Sequence, residues 1–262
     1  MATKNKLAKF ADMATYPNCL QYSFEQLQAA GFPLKGHWHE EYFHNQHPIV
    51  LELGCGKGEY TVGLAQRYPD KNFIGIDIKG ARMWTGATQA LKANLANVAF
   101  VRTHIELIEQ FFAPDEVSEI WITFCDPQMK KVNKRLTCTR FMNRYTHVMK
   151  PGGLVHLKCD SNFLFTYTEE MVKVNHLDVL VSTRDLYATD EKDCSSSDID
   201  WDALRTIQTA YEKQWIARGK DIKYMLIRLF PHAEWVEPDI EIPLDDYRSY
   251  NRDKRSSLDL HV

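Results

Sequence analysis

From Pro48 onward, short apolar runs alternate with longer mixed segments, the pattern made by repeated strand-helix units that build a parallel sheet. Seven runs read as strands: Ile49 to Leu53, Phe73 to Ile78, Val98 to Val101, Glu119 to Phe124, Leu154 to Lys158, Asp178 to Val181 and Ile222 to Leu229. Helices are predicted after Gly58 and around Arg82 to Asn94, Arg140 to Met149 and Phe163 to Asn175, with Pro151-Gly152-Gly153 as a stop before the fifth strand. Between the last two strands lies an insertion, about 183–221. It holds a loop at Ser195-Ser196-Ser197, then Trp201, Leu204, Gln208, Tyr211 and Trp215 at a helical spacing with an aromatic face. Residues 1–46 fall outside the repeat and are expected to pack near the site as an extension. The main domain spans 47–230, and 231–262, rich in charge and proline, reads as a peripheral tail.

With 262 residues and 44% apolar content the chain supports one well-packed core. No apolar run approaches the roughly 20 residues that span a bilayer, and Met1 to Phe10 is polar and basic, so a cytoplasmic protein with no membrane partner is expected. Six scattered cysteines without a C-x-x-C pair suit free thiols in a reducing compartment. His37, His39, His44 and His47 lack a regular ligand spacing, and no metal is assigned to them. A formal charge of −3 does not advertise a nucleic-acid binder, which leaves that role to a local patch. The sequence does not fix the oligomeric state, monomer or homodimer.

Chemistry enters at Glu52-Leu53-Gly54-Cys55-Gly56-Lys57-Gly58, where three alternate glycines follow the first strand. Glycine there lets backbone pass close to a ligand and take positive φ. Dinucleotide enzymes use such a turn for a pyrophosphate, which Glu52 and Glu59 would repel. S-adenosylmethionine carries a sulfonium and an ammonium, and carboxylates attract both. The spacing G-x-G-x-G, with no G-K-[ST] after it, also disfavours nicotinamide and nucleoside-triphosphate sites. Asp77, about twenty residues on at the end of the second strand, suits the two hydroxyls of a ribose. Thr103-His104-Ile105-Glu106 is expected to face the adenine, with His104 as a candidate contact.

The fourth strand delivers Asp126-Pro127 to the carboxyl edge of the sheet, beside the expected methyl group. From Pro127 to Cys159 there is no acid, while Lys130, Lys131, Lys134, Arg135, Arg140, Arg144, Lys150 and Lys158 form a candidate phosphate track. Such a track gives affinity, and base reading must come from elsewhere. For a guanine, Asp126, Asp160 and Glu212 are candidate acceptors for N1 and N2, with Tyr211 as a stacking partner.

Taken in order, Leu51 to Gly58, Phe73 to Asp77, Phe124-Cys125-Asp126-Pro127 with Lys130-Lys131, Lys158-Cys159-Asp160 and Thr209-Ala210-Tyr211-Glu212 resemble the bacterial tRNA (guanine-N7-)-methyltransferases, which modify a variable-loop guanosine. The resemblance covers Pro48 to Leu229. It implies an α/β, Rossmann-like class I S-adenosylmethionine methyltransferase with a seven-stranded, mostly parallel sheet flanked by helices, and tRNA as its partner. It assigns Glu52, Gly54, Gly56, Asp77, His104 and Asp126 to S-adenosyl-L-methionine, Asp126 also to catalysis, and Lys130, Asp160, Thr209, Tyr211 and Glu212 to the substrate. Where the family reads Trp-Pro-Lys-Lys-Arg-His, this chain reads Gln128-Met129-Lys130-Lys131-Val132-Asn133. Two other readings stay open: a methyltransferase for a small molecule or protein, and a noncatalytic RNA-binding protein on the same fold.

Overall fold

The computed structural model describes residues 2–190 and 199–245. In chain order the strands are β1 (Cys19–Gln21), β2 (Ile49–Leu53), β3 (Asn72–Asp77), β4 (Val98–Arg102), β5 (Val117–Thr123), β6 (Met149–Cys159), β7 (Asp178–Thr183) and β8 (Lys223–Leu229). They form one sheet in the order β1-β4-β3-β2-β5-β6-β8-β7. All neighbours are parallel except β8, which runs antiparallel to β6 and β7. The seven expected strands are present, and an eighth corrects the count. β1 has three residues, too few to show a period, and its place is fixed only by its pairing with β4, Cys19 opposite Phe100.

The inner strands read as near-continuous apolar runs because both faces of the sheet are covered. β2 is buried at all five positions: Ile49, Leu51 and Leu53 enter one core layer and Val50 the other. On the first layer lie α2 (Phe24–Ala30), a π-helical turn at Trp38–Phe43, α5 (Ile108–Phe111), α6 (Thr139–Thr146) and α7 (Asn162–Val174), through Leu27, Trp38, Phe111, Phe141 and Leu164. On the second lie α1 (Ala2–Thr15), α3 (Glu59–Arg67), α4 (Gly80–Lys92) and α8 (Trp201–Thr206), through Met13, Tyr60, Met83 and Trp201. No helix among the described residues is long and apolar enough to cross a membrane.

Two local expectations are corrected. Pro151-Gly152-Gly153 does not precede β6 but lies inside it. Met149 already pairs with Val117, and the disturbance is absorbed where the β5–β6 register shifts between Val117 and Glu119, with Gly152 at φ +80°. The single aromatic-faced helix after Trp201 is two helices, α8 and α9 (Ala210–Ile216). Thr209 is extended between them, and its side chain caps α9 by accepting from the Glu212 amide. Ser195-Ser196-Ser197 lies outside the described residues. Beyond β8 the chain, to Asp245, turns back along α6 and α7 without regular structure.

Candidate active site

β3 and β4 lie on one side of β2, and β5 and β6 on the other, so the winding reverses between β2 and β5. The crevice at the carboxyl ends of such a pair is where open α/β sheets bind ligands. A cavity of about 590 Å³ opens there, walled by the loop after β2, the ends of β3 and β5, and the start of α9.

Gly54, Gly56 and Gly58 all take left-handed φ, +77°, +55° and +71°. A Cβ on Gly54 would meet nothing within 4 Å, and on Gly56 only the Gly54 carbonyl at 3.9 Å, so these two leave the wall clear for a ligand. Gly58 serves packing instead: its Cβ would stand 2.7 Å from the Phe100 ring and 3.3 Å from Gly86 Cα. Gly58→Ala should therefore lose about 2–4 kcal/mol of stability from strain plus overpacking. A shift in the urea midpoint worth less than about 0.5 kcal/mol would refute this account.

Two acids shape the loop. Glu52 is 3% exposed; its Oε2 accepts from the Thr61 amide (2.8 Å) and hydroxyl (2.5 Å), and its Oε1 from the Thr123 hydroxyl (2.8 Å). Burial pushes the Glu52 carboxyl up to about 7, against the lowering effect of those hydrogen bonds. Asp77 accepts from the Gly56 amide (2.9 Å) and the Lys79 amide (2.7 Å), which holds the glycine turn. A carboxylate has about four acceptor positions, so room remains for a diol.

The opposite wall comes from Thr123, Phe124, Cys125, Asp126 and Gln128. Asp126 is exposed, and its Oδ1 accepts from the Gln128 amide at 3.0 Å. Phe124 and Gln128 on either side adopt left-handed φ, 48° and 47°. Thr209, Ala210, Tyr211 and Gln214 close the third side. Glu59, which from the sequence looked like a charge facing the ligand, also accepts from the Ala210 amide (3.1 Å) and so joins the first turn of α3 to the start of α9.

Of the eleven expected site residues, Glu52, Gly54, Gly56, Asp77, Asp126, Thr209 and Tyr211 meet on this cavity. The other four do not line it. His104 is exposed beside it, while its neighbours Ile105 and Glu106 form the wall. Lys130 is exposed on the loop outside the lining. Asp160 is 1% exposed behind the sheet edge, where its carbonyl accepts from Lys223 (3.4 Å). Glu212 is fully buried in an ion pair with Lys158 (2.5 Å) and is turned away from the cavity. An acid one residue after an exposed tyrosine reads the same in sequence whichever way its helix faces. Missed from the sequence were Lys57, Lys79 and Arg82, exposed basic residues on the cavity wall that no run of charge announces.

The family model described as "Putative methyltransferase" matches residues 46–225. A tRNA (guanine-N(7)-)-methyltransferase of Bacteroides thetaiotaomicron is 58% identical over 255 residues, covering 97% of this chain and 98% of that protein. One of Porphyromonas gingivalis is 58% identical over 247 residues, 93% of this chain and 98% of the relative. In fold the chain is similar to the 16S rRNA methyltransferase KamB, with a TM-score of 0.53, 12% identity, and coverage of 73% of this chain and 92% of that one.

Proposed function

The chain belongs to the tRNA (guanine-N(7)-)-methyltransferase family, and from that premise we propose that it methylates N7 of the variable-loop guanosine of tRNA at the cavity between β2 and β5. The observation that carries this reading is that one cavity holds both the open glycine turn with its two acids and the exposed carboxylate of Asp126.

These residues fit S-adenosyl-L-methionine. The space over Gly54 and Gly56 admits close approach, and the neighbouring acids suit a cation and a ribose but would repel a pyrophosphate. Bound there, the cofactor supplies an electrophilic methyl group on a sulfonium. Glu52 serves the amino-acid end of the cofactor, Asp77 the ribose, and Ile105 with Glu106 the base. Guanine N7 has a free lone pair and no proton to lose, so the chain's own task is positioning and the exclusion of water. Asp126 orients the purine and offsets the positive charge that grows on it. Tyr211, 47% exposed, gives a face for the base to lie on. Lys130 contacts phosphate from the rim, and Lys57, Lys79 and Arg82 do so from the other side.

Glu52 makes the cofactor step pH-dependent. Its raised pKa means that the folded chain holds more protons than the unfolded one between about 4.5 and 7, so its contribution to unliganded stability is lost as pH rises through that window. A cation bound nearby favours the carboxylate. Cofactor affinity should therefore rise several-fold from about pH 6 to pH 8 and become flatter in Glu52→Gln. Calorimetric titrations of the two proteins showing the same slope would remove Glu52 from this role. The reaction itself is tested by labelled methyl transfer to unmodified tRNA, with the product mapped by cleavage at N7-methylguanosine. A mapped variable-loop product is expected, and cofactor binding without transfer to tRNA overturns the reading.

A further inference from the structure

The loop that carries Asp126 holds itself only by local turns, the Gln128 amide on Asp126 and backbone bonds from Lys131 to Gln128, Lys134 to Lys131 and Arg135 to Val132, with Lys134 tied to Glu106. Between Pro127 and Leu136 it has one 3-10 turn, Val132–Lys134, and it leaves β5 through two left-handed residues. Its main buried anchor is Arg135, 5% exposed, which donates to the carbonyls of Gln128 (3.2 Å) and Met129 (3.0 Å). The guanidinium lies over the rings of Phe163 (4.7 Å) and Tyr167 (4.4 Å) on α7. These rings are held in turn by the segment after β8. Glu237 accepts from the Tyr167 hydroxyl (2.6 Å) and, with its other oxygen, from the amide (3.1 Å) and hydroxyl of Thr139, where α6 begins with no side-chain cap from Cys138. Asp245, 5% exposed, accepts from the Phe163 amide (3.0 Å) and the Ser161 hydroxyl at the start of α7. Its own amide donates to Met129 Sδ (3.3 Å) in the loop. Further back, Val236 exchanges two hydrogen bonds with the Asn175 side chain, and Trp235 donates to Asn143.

The tail thus supplies helix-end acceptors to α6 and α7 and reaches the loop by two routes. We propose that residues 235–245 are a strap that sets the position of Asp126, with Glu237 and Asp245 as positioning residues acting through Tyr167–Arg135 and through Met129. This rests on the reading of the β5 edge as the methyl-transfer site.

The test uses the full chain with Glu237→Ala, Glu237→Gln and Asp245→Ala. Cofactor affinity is followed by calorimetry, single-turnover methyl transfer to unmodified tRNA by label, and hydrogen exchange by peptide. The alanine variants are expected to keep cofactor affinity within about twofold, to lose about tenfold to a hundredfold in transfer rate, and to exchange faster over 126–135 but not over 54–58. Glu237→Gln, which keeps an acceptor, should recover most of the rate. Unchanged transfer rates in both alanine variants overturn the strap, as does a parallel loss of cofactor affinity, which marks a merely structural role. If the unaltered protein does not methylate tRNA, the functional reading fails and hydrogen exchange alone decides: faster exchange confined to 126–135 supports the strap, and unchanged exchange overturns it.

Discussion

Asp126→Ala is expected to lower the rate of methyl transfer to tRNA by about two to three orders of magnitude while changing cofactor affinity by only a few-fold. The residue stands exposed at the end of β5, on the wall opposite the glycine turn. Its neighbours Phe124 and Gln128 hold left-handed backbone that costs on the order of 1 kcal/mol or more each. A fold retains such a turn when the surrounding contacts over-determine it, and here the turn aims one carboxylate into the cavity. Alanine removes both the charge proposed to balance the alkylated purine and the acceptor for the Gln128 amide. Asparagine keeps the acceptor and loses the charge. If charge dominates, Asp126→Asn should fall close to alanine; if loop geometry dominates, it should stay close to the native rate. Single-turnover rates at saturating cofactor separate the two, and a native rate in the alanine variant, with the fold intact, would remove Asp126 from the centre of the mechanism.

The glycine-turn half of the candidate site was legible because its geometry is local. Gly54, Gly56 and Asp77 lie at a fixed spacing on a strand-turn-helix unit, and the parallel sheet brings them together, as the Gly56 amide on Asp77 shows. The proposed acceptor half depends on partners far apart in sequence. Arg135 and Lys158 count equally with Lys130 in a run without acids, yet Arg135 is buried against Phe163 and Tyr167, and Lys158 is fully buried against Glu212. Arg144 is bonded to Glu109. Lys130, Lys131, Lys134, Arg140 and Lys150 remain on the surface, and Lys134 is already paired with Glu106. The exposed basic surface is therefore narrower than the charge run suggested, and the exposed Lys57, Lys79 and Arg82 across the cavity are proposed to extend the phosphate track on the other side. The tail was invisible as a support because Glu237 and Asp245 act one residue at a time on helix ends about a hundred positions earlier or less.

Glu212→Ala should cost about 3–5 kcal/mol of stability, because it strands a buried ammonium. Lys158 Nζ donates to the Tyr60 hydroxyl (2.9 Å) and to the Leu204 carbonyl, and pairs with Glu212 Oε1, which also accepts from the Tyr187 hydroxyl (2.8 Å). The cluster joins β6, α3, α8 and α9, so it fixes the helix whose first residues line the cavity. Burial lowers the Lys158 pKa to about 8 even with the Glu212 charge beside it, and burial raises that of Glu212. Without its partner the lysine sheds its proton more readily. The unfolded chain then binds more protons than the folded one, so stability of Glu212→Ala should rise with pH between about 8 and 10.5. The double change Lys158→Met with Glu212→Met removes both charges and should recover most of the lost stability. Urea midpoints across pH test the first part. The double variant also separates the two roles proposed for Glu212: retained methyl transfer assigns it to holding α9, whereas a stable protein with transfer reduced about a hundredfold or more would return it to the guanine edge, by way of a movement of α9 that turns it into the cavity.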